Sequence, residues 1–274
     1  MTKLSNRLAL HTWSLDTTPI ADALRAARDG GWNAVELRRI DFTRCVDAGK
    51  TNEQVLALIR ESGMKVAVLG TEAGLLFAKG DESRRLFGVL EESCRNASTL
   101  GCDVIMLAPG QNTGTVKEAA ANFRAAGDVC KAHGVRIALE FNAVHDVVNG
   151  LAVTREIIAL AGHPSCGLLL DTYHLERCGS GGRGFEDVAR EEIFTFQFSD
   201  VPRGPPPAGK RPTDRLIPGQ GCVRWNDVFG LLVEKGYDGY LSYEAPNPEL
   251  WARPPLEVAR EAAAATRRLL AAVE

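Results

Sequence analysis

Positive charge is not in excess in this chain: 32 lysines and arginines stand against 35 acidic residues in 274 positions, a formal net charge of −3. Such a balance supplies no basic field to hold a polyanion, and a nucleic-acid partner is not expected. No stretch approaches the roughly eighteen apolar residues that a membrane-spanning helix needs, so no membrane partner is expected either. The N-terminal "MTKLSNRLALHTWSL" lacks a basic stretch, a long apolar core and a cleavage site, which argues against a signal peptide. The seven cysteines (45, 94, 102, 130, 166, 178 and 222) include no CxxC pair. Scattered and odd in number, they suit a reducing cytoplasm and small buried packing roles, and argue against a disulfide scaffold or structural zinc. "HTWSLDTT", after the first strand-like run, has no glycine-rich phosphate turn of the kind a doubly wound dinucleotide fold shows there.

What is present is a repeat. Gly30, Gly63, Gly101, Gly134, Gly162 and Gly236 each follow a helix-like run and precede a short apolar strand. Glycine suits the residue after a helix because the chain there often turns left-handed. The intervals are 33, 38, 33, 28 and 74 residues, the last being two units of 37, so the repeat is a βα unit with one glycine missing. Eight strands are expected: Leu8–Leu15, Ala34–Leu37, Lys65–Leu69, Val104–Leu107, Arg136–Glu140, Cys166–Asp171, Ile193–Phe198 and Gly239–Glu244. "TNEQ" from Thr51 and "TVKE" from Thr115 are capping boxes at helix starts, and Pro19 is expected at the first helical position after Thr18. The sixth helix, near Phe185–Ala189, is poorly formed. The fold class expected is α/β, one (β/α)8 TIM barrel over residues 1–274, with the Pro- and Gly-rich 201–221 a functional loop after strand seven.

In such a barrel the strand C-termini converge on one mouth. "RIALE" ends on Glu140, "GLLLD" on Asp171, "FTFQ" on Gln197 and "YLSYE" on Glu244. A single carboxylate after a strand is most often a helix cap or a loop residue. Four oxygen-bearing side chains on successive strands are poorly explained by capping. Three carboxylates crowded together repel unless a cation sits among them, and an all-oxygen set favours Mn²⁺ or Mg²⁺ over Zn²⁺. Gln197 would then offer its amide oxygen as the neutral member of the set; the alternative is a glutamine that bridges strand backbones or a water inside the barrel.

At this point "ALEFN", "LLLDTYHLERCG", "FQFSDVP" and "RLIPGQG…GYDGYLSYEAPNPELWARPPLEVAREA" carry a family resemblance. The chain resembles the xylose-isomerase-like sugar phosphate isomerase/epimerase superfamily, nearest its inosose isomerase-like branch, over nearly its whole length and most closely from residue 136 onward. The resemblance implies one divalent metal held by Glu140, Asp171, Gln197 and Glu244, with Gln197 departing from the histidine most members carry. An amide is a weaker and harder ligand than imidazole, which disfavours Zn²⁺. It further implies that His174 contacts a substrate hydroxyl or carbonyl and that Arg215 reaches over the substrate from the loop after strand seven. Glu36 recurs in the family, lining the mouth or pairing with Arg38, without a catalytic assignment. His11 and Trp13 read as core packing, with Trp13 a possible wall beside a sugar ring.

The activity implied is proton transfer on a small-molecule sugar, polyol or cyclic ketone, through an enediolate, with Glu140 and Glu244 as the acid–base pair. Isomerisation and epimerisation are not separable on these residues. The alternative is a lyase of the 3-dehydroshikimate dehydratase type: Gln197 favours it, whereas Asn142 stands where many dehydratases place a histidine. A nuclease of the endonuclease IV type would need many more than the five histidines present. A sugar-binding protein that has lost turnover is a third reading, opposed by the intact glutamate pair. Arg203, Lys210, Arg211 and Arg215 are candidates for a substrate phosphate or form a solvated loop; these residues do not fix the oligomeric state, and a homo-oligomer stays open because members of the family are often dimers or tetramers.

Overall fold

The computed structural model describes residues 3–205 and 212–274; Lys210 and Arg211, two of the phosphate candidates, lie outside them. Eight parallel strands close a barrel in chain order: β1 (Leu8–His11), β2 (Ala34–Leu37), β3 (Lys65–Gly70), β4 (Val104–Leu107), β5 (Arg136–Glu140), β6 (Cys166–Asp171), β7 (Ile193–Phe198) and β8 (Leu241–Tyr243). β8 pairs with β1 through Leu10 and Tyr243. Nearly every strand residue is buried, because helices cover the outer face while side chains fill the inner one. That two-sided burial is why the strands read as continuous apolar runs rather than alternating ones.

The helices are α1 (Ile20–Asp29), α2 (Arg39–Asp47), α3 (Asn52–Glu61), α4 (Gly80–Thr99), α5 (Val116–Ala132), α6 (Leu151–Ala161), α7 (Thr172–Arg177), α8 (Trp225–Glu234), α9 (Pro248–Trp251) and α10 (Pro255–Leu270). Both capping boxes form: Gln54 N–H donates to Thr51 Oγ1 and Glu118 N–H to Thr115 Oγ1, while each Thr N–H donates back to the partner side chain. The barrel floor is lined by small residues, Ala9, Ala34, Ala67 and Ala138, around Leu169 and Phe194. Gly167 belongs to this layer for a steric reason. A Cβ there would stand 2.6 Å from the Phe194 ring.

Five expectations need correction. Strand one ends at His11, and Thr12–Leu15 forms a 3-10 turn that folds over the mouth. Strand eight is shorter than expected, so Glu244 stands just beyond β8. After β6 the helix is α7, immediately following Asp171; Phe185–Ala189 is a turn region. Pro19 is the cap of α1 and Ile20 its first residue. Of the six glycines, Gly63, Gly101, Gly134, Gly162 and Gly236 have positive φ, but after α1 it is Gly31 that turns left-handed. Gly30 is required by contact instead: its Cβ would lie 2.8 Å from that of Ala259 on α10.

Candidate active site

The barrel mouth is a cavity of about 1060 Å³ whose lining includes His11, Trp13, Glu140, His174, Arg215 and Glu244. The strand ladder explains the convergence. Asp171 on β6 is in register with Gln197 on β7, Gln197 with Ser242 on β8, and His11 on β1 with Glu36 on β2. Side chains from these positions therefore meet at one level. Glu140, Asp171, Gln197 and Glu244 are all buried there.

Asp171 has two duties. Its Oδ1 accepts from Tyr173 N–H and caps α7, while Oδ2 accepts from Arg215 Nη1 at 2.7 Å. Arg215 belongs to the loop after β7 and is only 1% exposed, so it is not a solvated loop charge. Two features return it to the mouth. Asp200 and Leu216 form an antiparallel backbone bridge at the base of the loop, and Asn247 Nδ2 donates to Arg215 O. Asp200 is itself fixed by four donors: the backbone amides of Val201, Gly219 and Val223, and Trp225 Nε1. Arg215 Nη1 also donates to Glu244 Oε2 at 2.6 Å, and the guanidinium stacks on the Tyr173 ring, 4.6 Å from its centroid.

Burial shapes the proton affinities. It lifts the Glu244 carboxyl to about 7, opposed by the Arg215 charge and assisted by Asp171. Burial also holds Glu140 well above the usual carboxylate range, with Glu244 and Asp171 adding to the effect. For Glu36 burial raises the carboxyl to about 8, the polar groups of Ser242 and Gln197 working against it and the charges of Glu244 and Asp171 with it. Arg215 is kept charged: burial works against the cation, but the carboxylates of Asp171 and Glu244 outweigh it.

Two buried imidazoles face these carboxyls in their neutral form. Burial pushes His174 down to about 4 and His11 well below its ordinary value. His174 Nδ1 lies 3.3 Å from Ala143 N–H, while its Nε2 is 3.3 Å from Arg215 Nη2, which can only donate, and 3.7 Å from Glu140 Oε1. His11 Nδ1 accepts from Trp13 N–H, which leaves Nε2–H toward Glu244 Oε1 at 3.3 Å and Glu36 Oε1 at 3.7 Å. One ligand atom each from Glu140, Asp171 and His174 lie within 4.8 Å of one another. The His174 Nε2 that faces this cluster also has the Arg215 guanidinium beside it, Nη2 at 3.3 Å.

Two residues of the site were read differently in the sequence. His11 is core-buried yet sits directly against Glu244, and Glu36 does not pair with Arg38. Arg38 turns to Asp16, Asp41 and Thr12, while Glu36 points into the barrel and accepts from Gln197 Nε2 at 2.8 Å. The signal was available: "LALH" ends β1 on His11, and "AVEL" places Glu36 one residue before the end of β2.

The chain is thus a closed eight-stranded (β/α)8 barrel with buried carboxyls at the C-terminal ends of β5 and β6 and just beyond β8. Residues 24–269 match the family model described as Xylose isomerase-like TIM barrel, and the chain belongs to that family. An inosose isomerase of Halalkalibacterium halodurans is 31% identical over 125 residues, 45% of this chain and 44% of that protein. A 3-dehydroshikimate dehydratase of Pseudomonas aeruginosa is 26% identical over 257 residues, 90% of this chain and 39% of the relative. The matches thus span less than half the length of these two curated relatives. Among solved structures, a zinc-bound IolI protein superposes with a TM-score of 0.86 at 19% identity, covering 98% of this chain and 99% of its own.

Proposed function

We propose that the chain is a divalent-cation-dependent isomerase or epimerase acting on a sugar, polyol ketone or cyclic ketone. The observation that carries this reading is the pair of buried glutamates, Glu140 and Glu244, both lifted toward neutrality at one barrel mouth. The residues fit a cation. Glu36 Oε2, Glu140 Oε1 and Gln197 Oε1 are buried oxygens with no hydrogen-bond partner among the described residues. Buried acceptors left unsatisfied are costly, and a hard cation satisfies several at once. Glu140, Asp171, Gln197 and Glu244 would hold it, with Mn²⁺ or Mg²⁺ favoured over Zn²⁺ by the all-oxygen donors, although the IolI relative carries zinc. When bound, the ion polarises a substrate carbonyl and makes the neighbouring C–H more acidic.

The remaining work belongs to side chains. Glu244, with Arg215 and His11 Nε2–H against its two oxygens, is the more readily ionised glutamate and removes the proton beside the carbonyl. Glu140 is the acid partner that returns a proton to the enediolate. Delivery to the same carbon from the other face gives an epimer, and delivery to the neighbouring carbon an isomer. His174 and Arg215 orient the substrate oxygens. The seven unpaired thiols support a cytoplasmic setting, and the net negative charge supports a small-molecule substrate over nucleic acid. Homo-oligomer formation stays part of the proposal.

A lyase acting through the same enolate is the second reading, favoured by the dehydratase match over 90% of this chain and by the amide at Gln197. One experiment separates the two. Mg²⁺-loaded enzyme in D₂O, followed by NMR against ketoses, inososes and 3-dehydroshikimate, should place deuterium at the carbon beside the carbonyl, and Glu244→Gln should abolish it. Formation of an aromatic product from 3-dehydroshikimate moves the assignment to the lyase. Absence of exchange across the panel, in protein shown by calorimetry to bind the ion, rejects the isomerase reading for these substrate classes.

A further inference from the structure

Glutamine is an ambiguous ligand. Its side chain ends in an acceptor and a donor of nearly equal size, and only the oxygen can face a cation. Gln197 is fully buried on β7, so it cannot be sorted by solvent. Its Nε2 donates to Glu36 Oε1 at 2.8 Å, across the barrel interior from β2. Its Oε1 is buried and has no partner among the described residues. The amide therefore has one end occupied and the other vacant, and the occupied end is the nitrogen.

We propose that Glu36 is a positioning residue that fixes the Gln197 amide so that its oxygen, and not its nitrogen, is presented to the cation. This rests on the metal reading above. Without an acceptor at position 36, the amide can rotate about its last torsion and aim Nε2–H₂ at the site, where a donor repels the ion. With the Glu36 carboxylate in place, rotation would break the hydrogen bond and bring two acceptor oxygens, of Glu36 and Gln197, against each other. A histidine at this strand end has a nitrogen at either ring position and needs no such sorting of oxygen from nitrogen. The Gln197–Glu36 pair is this chain's own arrangement for making an amide serve.

An orienting role and a purely electrostatic one make different predictions. Glu36→Gln keeps an acceptor oxygen of the same reach and removes the negative charge, whereas Glu36→Leu removes both. The experiment is calorimetric titration of Mn²⁺ into the metal-stripped full chain, for wild type, Glu36→Gln, Glu36→Leu, Gln197→Ala and the Glu36→Leu/Gln197→Ala double variant. Orientation predicts Glu36→Gln within about threefold of wild type and Glu36→Leu weaker by about tenfold or more, the range typical of lost partners to metal ligands. It also predicts a double variant no weaker than Gln197→Ala alone, since Glu36 acts only through that amide.

Equal losses in Glu36→Gln and Glu36→Leu would show that charge acts instead, and overturn the proposal. Wild-type affinity in Glu36→Leu, or losses that multiply in the double variant, would also overturn it. If circular dichroism shows Glu36→Leu to be unfolded, Glu36→Met, unbranched and of nearly the same length, takes its place. Absence of saturable Mn²⁺ binding by the wild type would reject the metal reading itself, and this inference with it, and is distinguishable from every outcome above.

Discussion

Nη1 of Arg215 lies 2.6 Å from Oε2 of Glu244, with both side chains buried, so a loop cation is pinned to the carboxylate that follows the last strand. The same nitrogen reaches Asp171, and the pair of carboxylates is compensated by one guanidinium. Removing one partner of a buried ion pair leaves the other uncompensated, which typically costs about 3–5 kcal/mol.

Arg215→Ala should therefore melt well below the wild type in EDTA. Mn²⁺ should recover more stability in the variant than in the wild type, because the ion supplies the charge that the arginine no longer does. Thermal melts with and without Mn²⁺ check this; equal metal-induced shifts would contradict it.

His11→Phe removes the donor that faces Glu244 Oε1 while keeping a planar ring. A carboxylate that loses a donor ionises less readily, so the Glu244 value should rise above its present level of about 7. As the base works only when ionised, the acidic limb of the kcat/KM profile should move to higher pH. A loss of about tenfold or more at neutral pH is expected, the size usual for such supporting partners.

Glu36 gives a stability test with a definite sign. Its folded-state value of about 8 is raised above the ordinary 4.5, so ionisation disfavours the metal-free fold. The penalty is absent below about pH 4.5 and grows until the pH passes about 8. Glu36→Gln, which cannot ionise, should match or trail the metal-free wild type at pH 5 and exceed it at pH 8. Urea unfolding in EDTA at the two pH values would show it, and a difference of the opposite sign would refute it.

Gly167→Ala tests the barrel floor, far from the chemistry. The added methyl collides with the Phe194 ring, and overpacking of this kind typically costs about 1–3 kcal/mol. Phe194→Leu in the same chain should restore part of the loss, since the two sites share one contact.

The architecture was legible because each βα unit repeats the same local chemistry: apolar runs buried on two faces, capping boxes at Thr51 and Thr115, and a glycine at most helix ends. The errors fall where that chemistry is absent. β1 was over-extended because Trp13 and Leu15 are apolar, but they belong to a 3-10 turn whose entry is set by His11 accepting from Trp13 N–H. The sixth helix differs in position because α7 starts at Thr172, directly after its cap Asp171, a residue the sequence spends on both the cap and the site. Glu140, Asp171, Gln197 and Glu244 could be read from strand ends alone. Their partners could not: the Glu36–Gln197 contact joins residues 161 positions apart, and only closure of the barrel brings them together.

The Asp200–Leu216 bridge has a consequence for how this mouth can change. It ties the loop off at its base, so Arg215 is delivered from the knot and not from the residues strung between its two ends. Pro212, beside that knot, borders the mouth cavity. Exchanges there can remodel the approach without shifting the guanidinium that faces Asp171 and Glu244. Substrate preference and charge compensation are thereby separable traits.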